Sequence, residues 1–343
     1  MAYIEDIKKV SELPLPWERF KGKNILVTGA TGLIGRCLVD VLMRSNPGLH
    51  VFAMGRNKDK ALNIFKGYTA SPFFHFIEHD VVNPLECDTK FHFILAGASG
   101  ASPQLYASNP VGIIKTNIYG VDNLLAYGKD NDMEKLVYVS SGEIYGEGDG
   151  RTFTEDYNGL IDCTNARACY PSSKRAAETL CVSYSRQYGL DVSMARPCHV
   201  YGPYFNDGDD RVYAQFIRNV VNGEDIVMKS DGSQYRSWCY VVDCVSALLH
   251  ILLKGENGKA YNIADASSNI SIRELAEMIA RIGRRKVVMA APSAAERAGY
   301  NPVRRSVFST RRLEALGWAV EGGMEDKMRT TIDTVLACRN NGK

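Results

Sequence analysis

A tyrosine and a lysine stand four residues apart in the stretch "CYPSSKRAAE", at Tyr170 and Lys174. If this stretch opens a helix, both side chains lie on one face, one turn apart. A free tyrosine has a pKa of about 10 and is a poor base at neutral pH, but a neighbouring positive charge favours the phenolate and lowers that pKa. The pair therefore predicts a tyrosine base that is tuned by a lysine. Because the spacing also occurs by chance, the prediction depends on the rest of the chain.

A glycine-rich turn stands near the N-terminus. The stretch "NILVTGATGLIGRCL" places Gly29, Gly32 and Gly35 directly after an apolar run and before an amphipathic one. Glycines in this context allow a tight turn, a close approach of backbone to a pyrophosphate, and close packing of the following helix. The helix N-terminus then offers free N–H groups to the phosphates. The turn predicts a dinucleotide site; the alternative is a purely structural turn.

Short apolar runs alternate with amphipathic stretches over the first two thirds of the chain. The predicted strands are 24–28, 50–54, 74–78, 91–97, 135–141 and 191–197. The predicted helices between them are 33–46, 57–66, 111–129 and 172–188. This alternation predicts an α/β fold with a doubly wound parallel sheet. After about residue 197 short strands mix with helices such as 271–282, which begins with a capping box of Ser271 and Glu274.

Composition limits the classes of function. The 343 residues carry a formal net charge of +2, which gives no argument for nucleic acid or an anionic membrane as a partner. No apolar run is long enough to span a bilayer, and the N-terminus lacks the apolar stretch of a signal peptide. The nine cysteines include no C-x-x-C pair. They predict reduced thiols in a cytoplasmic protein, without a metal site.

The G-x-x-G-x-x-G spacing and the later Tyr-x-x-x-Lys together resemble the extended short-chain dehydrogenase/reductase family, in its epimerase/dehydratase branch. "SSGEIYG", "RPCHVYGP", "QYRSWCYVVD" and "LGW" follow in that family's order, and the resemblance runs over about 22–318. It implies a nicotinamide cofactor held by an N-terminal Rossmann domain, a nucleotide-diphosphate sugar held by a smaller C-terminal α/β domain, and a homodimer. The expected division is an extension over 1–21, a dinucleotide-binding domain over 22–197 and a substrate-binding domain over 198–343, some of whose segments return to the main sheet.

The cofactor contacts implied by the resemblance lie at the ends of successive strands. They are Gly29, Thr31, Gly32, Leu33, Ile34, Gly35, Arg56, Asp80, Val81, Ala96, Tyr170 and Lys174. Arg56 stands where an acidic residue would accept from the ribose hydroxyls of NAD. A guanidinium can pair with a 2′-phosphate, so this residue favours NADP, whereas the family favours NAD. The alternative is that Arg56 stacks on adenine or is solvated.

The catalytic set implied by the resemblance is Ser141, Tyr170 and Lys174, with Glu143 as a further group. Ser141 orients the substrate hydroxyl, Tyr170 takes its proton, and Lys174 tunes Tyr170 and anchors the cofactor. The family first forms a 4-keto sugar, which then undergoes epimerisation, dehydration or decarboxylation. Glu143 occupies a position that is a glutamate in 4,6-dehydratases and in UDP-glucuronate decarboxylases, but Gly142 replaces the dehydratases' aspartate. A structural role is the alternative for Glu143.

Substrate contacts are implied at Asn117, Ser141, His199, Arg211, Arg236 and Arg304, with Arg305 as an alternative to Arg304. Arg236 matches the arginine that holds the diphosphate. "ASPQLYASNPVGIIKTNIYG" resembles the corresponding segment of UDP-glucuronate decarboxylases. His199, however, replaces the family's usual asparagine, and Pro171 to Ser173 differ from the decarboxylases' pattern.

The prediction is a nucleotide-sugar epimerase/dehydratase that works through a 4-keto intermediate. A UDP-glucuronate decarboxylase-like enzyme, a keto-sugar reductase and a non-catalytic cofactor-binding regulator are the alternatives. A regulator without catalysis would tend to lose one of Ser141, Tyr170 and Lys174 by mutation. All three are present in this chain, which argues against that alternative.

Overall fold

The computed structural model describes residues 2–45, 48–206, 208–291 and 303–341. Within these residues the main sheet has seven parallel strands, in the order β10-β6-β5-β4-β1-β2-β3. The strands are β1 (Asn24–Thr28), β2 (His50–Gly55), β3 (Phe74–Glu78), β4 (Phe93–Ala96), β5 (Lys135–Val139), β6 (Val192–Pro197) and β10 (Ala260–Ile263). The direction of winding reverses between β1 and β4, which is where this class of sheet binds its ligands. The predicted doubly wound α/β fold is confirmed.

Helices cover both faces of this sheet, so the strands are apolar on both sides. Ile25 and Val27 of β1 pack in one core cluster, and Leu26 between them packs in the other. The helices that precede β6 in the chain are α1 (Ala2–Ser11), α2 (Leu33–Ser45), α3 (Lys58–Ile64), α4 (Pro103–Ser108), α5 (Pro110–Asp130) and α6 (Cys169–Tyr188). Short 3-10 turns cover Trp17–Phe20, Gly142–Tyr145 and Ala166–Ala168. The predicted last residue of α2, Asn46, lies outside the described residues.

The C-terminal part adds a second sheet in which β9 is central. Its strands are β7 (His199–Tyr201), β9 (Tyr235–Tyr240), β11 (Asp265–Ser271) and β13 (Arg305–Ser306), and β8 (Ile226–Met228) pairs with β12 (Val287–Met289). The helices are α7 (Val212–Asn222), α8 (Val241–Lys254), α9 (Ile272–Gly283), α10 (Arg311–Glu314) and α11 (Met324–Asn341). The predicted capping box is present at the start of α9. Strand β10 returns to the main sheet beside β6.

The N-terminal extension folds as α1, which packs against α2, α8 and α11. It buries Tyr3, Ile7 and Val10. On the other side of the sheet, α5 and α6 pack against each other and leave Val111, Tyr119 and Tyr188 exposed. Association of two chains through these helices stays a prediction. None of the described helices is long and apolar enough to cross a membrane.

Candidate active site

The glycine-rich turn joins β1 to α2 at the point where the sheet reverses. Gly29 has φ +68, and a Cβ on it would lie 2.8 Å from the carbonyl oxygen of Gly97. A Cβ on Gly35 would lie 2.4 Å from the carbonyl oxygen of Gly29. The turn is therefore closed by backbone alone, which leaves a cradle that a side chain would fill. This geometry fits a dinucleotide pyrophosphate, because the first N–H groups of α2 have no intrahelical partners.

The other residues predicted to bind the dinucleotide lie in the glycine-rich turn, at the start of α2 and near the ends of β3 and β4. Gly32 donates its N–H to Gly29 at 3.0 Å, and Thr31 is half-buried beside it. The side chains of Leu33 and Ile34 pack on the core, which leaves their backbone N–H groups as the donors. Val81 and Ala96 are buried at the ends of β3 and β4.

Arg56 and Asp80 follow β2 and β3, respectively. The Arg56 side chain is 78% exposed, and its Nη1 lies 3.8 Å from the Asp80 carboxylate. Such an exposed, long ion pair is weak, so it does not prevent Arg56 from contacting a ligand. Asp80 also accepts the N–H of Val82 at 3.2 Å.

Tyr170 and Lys174 lie in the first two turns of α6, both buried, next to the end of β5. Lys174 Nζ donates to the carbonyl of Val139 at 2.8 Å and lies 5.7 Å from the centroid of the Tyr170 ring. Ser141, an extended residue two positions after the end of β5, lies close enough to Tyr170 for its hydroxyl to lower the pKa of that phenol. The structure thus brings Ser141, Tyr170 and Lys174 together.

Burial has the largest effect on the pKa values of this set. Burial raises the pKa of Tyr170 to about 12, and the Glu143 charge adds to this, while Ser141 opposes it. Burial also lowers the pKa of Lys174 to about 7. The cost of moving a charge out of water outweighs the attraction between neighbours here, so the protein groups alone keep the phenol protonated.

Glu143 lies in the 3-10 turn Gly142–Tyr145, with its backbone N–H bonded to Ser141 Oγ at 3.1 Å. Its carboxylate accepts from Arg167 Nη2 at 2.9 Å, and both side chains are about one third exposed. A Cβ on Gly142 would lie 2.3 Å from the ring of Phe308. The edge of the Phe308 ring is therefore packed against Gly142, and a larger residue at this position would require that side chain to move.

Two residues that the sequence analysis missed complete this cluster. The Tyr106 ring of α4 stacks on the Tyr170 ring, with centroids 4.8 Å apart and planes at 24°. The Arg167 guanidinium lies 4.6 Å from the centroid of the Tyr106 ring. Tyr106 stands in the stretch that resembles the decarboxylases and Arg167 stands just before the stretch with Tyr170, but only the tertiary structure shows that their side chains meet. The available signal was their nearness in sequence to Asn117 and Tyr170.

Arg236 lies on β9 and is 3% exposed. Its Nη2 donates to the carbonyl of Val303 at 2.5 Å, whereas its buried Nη1 has no hydrogen-bond partner in the described part of the chain. Burial lowers the pKa of Arg236 to about 10. His199, on neighbouring β7, packs against Trp238, and burial with the charges of Arg236 and Arg211 lowers its pKa to about 3. A buried cation with a free donor is a site for an anion.

The three other predicted substrate residues are Asn117, Arg211 and Arg304. Both amide atoms of Asn117 are used within the protein, since Oδ1 accepts from Ser99 at 2.7 Å and Nδ2 donates to Ser173 at 2.9 Å. Asn117 therefore helps to position the start of α6, and each amide atom keeps one further hydrogen-bonding position, so a substrate contact of Asn117 stays a prediction. Arg211 is held by the carboxylate of its neighbour Asp209.

Arg304 is exposed at the edge of β9, where its backbone carbonyl accepts from Tyr235 at 2.8 Å. Hydrogen bonds from Ser233 lower the pKa of the exposed Asp231, and the positive charge of Arg304 adds to this effect. Arg305 lies over the Tyr235 ring at 5.3 Å. The structure does not bring either arginine to the Tyr170 cluster. No group of three or more His, Cys, Asp or Glu side chains that could hold a metal is present among the described residues.

Comparison with known proteins agrees with this geometry. The chain matches the NAD dependent epimerase/dehydratase family over residues 25–264. UDP-glucuronic acid decarboxylase 6 of Arabidopsis thaliana is 35% identical over 309 residues, which cover 89% of this chain and 87% of that protein.

Two solved structures show the same fold. A UDP-glucose 4-epimerase of Thermus thermophilus, in complex with NAD, has a TM-score of 0.75 at 25% identity and covers 91% of this chain and 98% of that one. A UDP-N-acetylglucosamine 4-epimerase of Methanobrevibacter ruminantium has a TM-score of 0.81 at 23% identity and covers 93% of this chain and 99% of that one. The resemblance inferred from the sequence is confirmed. The chain is an NAD-dependent enzyme and belongs to the NAD dependent epimerase/dehydratase family.

Proposed function

We propose that the enzyme converts a nucleotide-diphosphate sugar through an intermediate that is a ketone at the sugar C4. The observation that carries the proposal is the Ser141, Tyr170 and Lys174 set beside a buried arginine, Arg236, whose Nη1 has no partner in the described residues. A buried guanidinium without an anion is costly, so it predicts a phosphate ligand at this position. The names of the relatives and structural neighbours support a nucleotide sugar as that ligand.

The roles of the residues follow from their positions. Tyr170 takes the proton of the C4 hydroxyl, and Ser141 holds that hydroxyl by a hydrogen bond. A bound nicotinamide cofactor supplies the capacity to remove hydride from C4 and to return it. Burial raises the pKa of Tyr170, while the positive charges of Arg211 and Arg167 lower it, and the charge of an oxidised nicotinamide ring would lower it further.

Decarboxylation of a UDP-sugar acid is the second candidate function. The 35% identity to a UDP-glucuronic acid decarboxylase over most of both chains favours it. Gly142 also argues against 4,6-dehydration, because it replaces the aspartate that is the second acid of the dehydratases. A 4-ketone activates a carboxylate on C5 for loss, and Glu143 lies next to Ser141, which would hold the C4 hydroxyl.

Incubation with UDP-, dTDP-, CDP- and GDP-sugars, UDP-glucuronate included, tests the proposal when the products are identified by NMR. We expect at least one nucleotide sugar to be converted, with UDP-glucuronate yielding a pentose if the second candidate is right. Conversion of none of them, by a folded protein that binds its cofactor, would rule out the proposed function.

At a pH above the rising limb of the pH–rate profile, Glu143→Gln is expected to leave oxidation at C4 within about threefold of the wild type and to slow the following step by about 10²-fold, because general acid–base groups contribute on this scale. Reduced cofactor should then accumulate, which single-turnover stopped flow detects by its absorbance. Glu147→Gln, in the exposed segment that follows, is the matched control. A Glu143 variant in which both phases slow together, or neither does, would assign this residue a structural role.

We also propose that Arg56 binds the 2′-phosphate of NADP and that the enzyme accepts this cofactor besides NAD. A charge-assisted contact of this kind contributes about 1.5–3 kcal/mol, so Arg56→Ala should weaken NADP by about tenfold or more relative to NAD. Calorimetric titration with each cofactor measures the ratio, and Lys58→Ala, the next exposed cation, is the control. Equal affinities of the wild type for NAD and NADP would contradict the proposal.

A further inference from the structure

Arg167 is rigidly attached to the helix that carries the predicted base. It lies in the 3-10 turn Ala166–Ala168, which runs directly into α6. The side chain of Asn165 accepts the backbone N–H of Arg167 at 2.9 Å and so closes this turn. The position of Arg167 is therefore fixed relative to Tyr170, three residues further along.

The guanidinium of Arg167 joins two groups that both face Tyr170. On one side, Nη2 donates to Glu143 Oε2 at 2.9 Å. On the other side, the guanidinium lies 4.6 Å from the centroid of the Tyr106 ring, which in turn stacks on Tyr170 at 4.8 Å. Three separate elements, the 3-10 turn after β5, α4 and the start of α6, thus meet at a single side chain.

Stability of the fold does not account for this arrangement. Arg167 is 37% exposed and Glu143 is 30% exposed, and ion pairs in such positions contribute little to the free energy of unfolding. Two neighbouring arginines, Arg175 and Arg196, make contacts that do stabilise the fold. Arg175 donates to the backbone carbonyls of Ile144 and Gly159, and the less exposed Arg196 is paired with Glu178, which is buried.

The charges of Arg167 and of its partner Glu143 affect the pKa of Tyr170. The negative charge of Glu143 raises the pKa of Tyr170, and the positive charge of Arg167 lowers it. The titratable and charged groups that face Tyr170 from the elements around it are Glu143, Arg167, Arg211, Tyr106, Tyr138 and Lys174. Arg167 is distinguished within this set because it touches two of the others.

We propose that Arg167 is a positioning residue, which holds the Glu143 carboxylate in the active site, keeps Tyr106 stacked on Tyr170, and balances the charge of Glu143 at the base. The proposal rests on the proposed function in one respect only, that Tyr170 acts as the base. The contacts that carry it do not depend on which nucleotide sugar is bound.

Crystal structures of Arg167→Met and of a matched control test the positioning directly. We expect the Glu143 carboxylate and the Tyr106 ring to leave their positions in Arg167→Met. Arg151→Met is the control, because Arg151 also pairs with a carboxylate, Asp149 at 2.6 Å, and also lies over a tyrosine ring, that of Tyr157 at 5.6 Å. If both groups of the Arg167 variant stay where they are in the wild type, Arg167 does not position them.

The pH dependence of single-turnover cofactor reduction tests the balance of charge. Because Tyr170 must be ionised to take a proton, a higher pKa moves the rising limb of the profile to higher pH. We expect Arg167→Met to shift that limb upward by about one unit. Arg167→Lys, which keeps the positive charge, should return the limb to the pH of the wild type. The double variant Arg167→Met with Glu143→Gln, which removes both charges, should do the same.

A purely structural role predicts different results. It would lower the melting temperature or raise KM without moving the limb, and the double variant would be worse than either single one; these results would overturn the proposal. If the wild type reduces its cofactor with no nucleotide sugar, the proposed function fails, and the crystallographic comparison still decides the role of Arg167.

Discussion

Tyr170→Phe is expected to lower the rate of oxidation at the sugar C4 by about 10²–10⁴-fold, the range that general base catalysis contributes. The substitution removes only the hydroxyl, and the phenylalanine ring can keep the stacking contact with Tyr106 at 4.8 Å. Lys174 keeps its hydrogen bond to the carbonyl of Val139. We therefore expect the affinity for the cofactor to be unchanged and the free energy of unfolding to fall by about 1 kcal/mol at most.

Single-turnover stopped flow measures this rate, and titration calorimetry measures the cofactor affinity. Tyr184→Phe is the matched control, because Tyr184 lies on the same helix and bonds to Asp122 at 2.8 Å, away from the site. A Tyr170→Phe enzyme that oxidised its substrate at the wild-type rate would show that another group is the base.

Gly35→Ala is expected to weaken cofactor binding by about 10–100-fold, because overpacking of this kind costs about 1–3 kcal/mol and about 1.4 kcal/mol corresponds to tenfold in affinity. The new Cβ would lie 2.4 Å from the carbonyl oxygen of Gly29 and 2.8 Å from Cα of Ala30. Both contacts are backbone, so no side-chain rotation relieves them. The turn has to open, which moves the N–H groups that face the phosphates.

Calorimetric titration with NAD measures the loss, and thermal unfolding shows whether the fold persists. Gly67→Ala is the control, since a Cβ on Gly67 would meet nothing within 4 Å. Wild-type affinity for NAD in a folded Gly35→Ala protein would place the pyrophosphate elsewhere.

The sequence allowed the fold to be predicted because apolar runs and helix signals are local. The strand predicted at 24–28 is β1 (Asn24–Thr28), and the helix predicted at 271–282 is α9 (Ile272–Gly283). The short α4 was missed, since six residues that begin with a proline give no helical periodicity. The N-terminal α1 was also missed, because its burial depends on packing against α2, α8 and α11.

The candidate site was predicted only where a local motif encodes it. The spacing of Tyr170 and Lys174 is such a motif, and the structure brings both residues to Ser141. Arg167 and Tyr106 were not found, because their contact joins segments about sixty residues apart. The opposing effect of burial on the pKa of Tyr170 was not predicted, since charges can be inferred from spacing but the extent of burial cannot.

The most direct test of the account is a single-turnover reaction with nucleotide sugars that carry deuterium at C4, followed by mass spectrometry of the released cofactor. If the proposed mechanism is right, the cofactor becomes transiently reduced and carries the label with at least one nucleotide sugar. The Tyr170→Phe enzyme should show neither change within the wild-type turnover time. Formation of product from a nucleotide sugar while the cofactor gains neither electrons nor deuterium would contradict it.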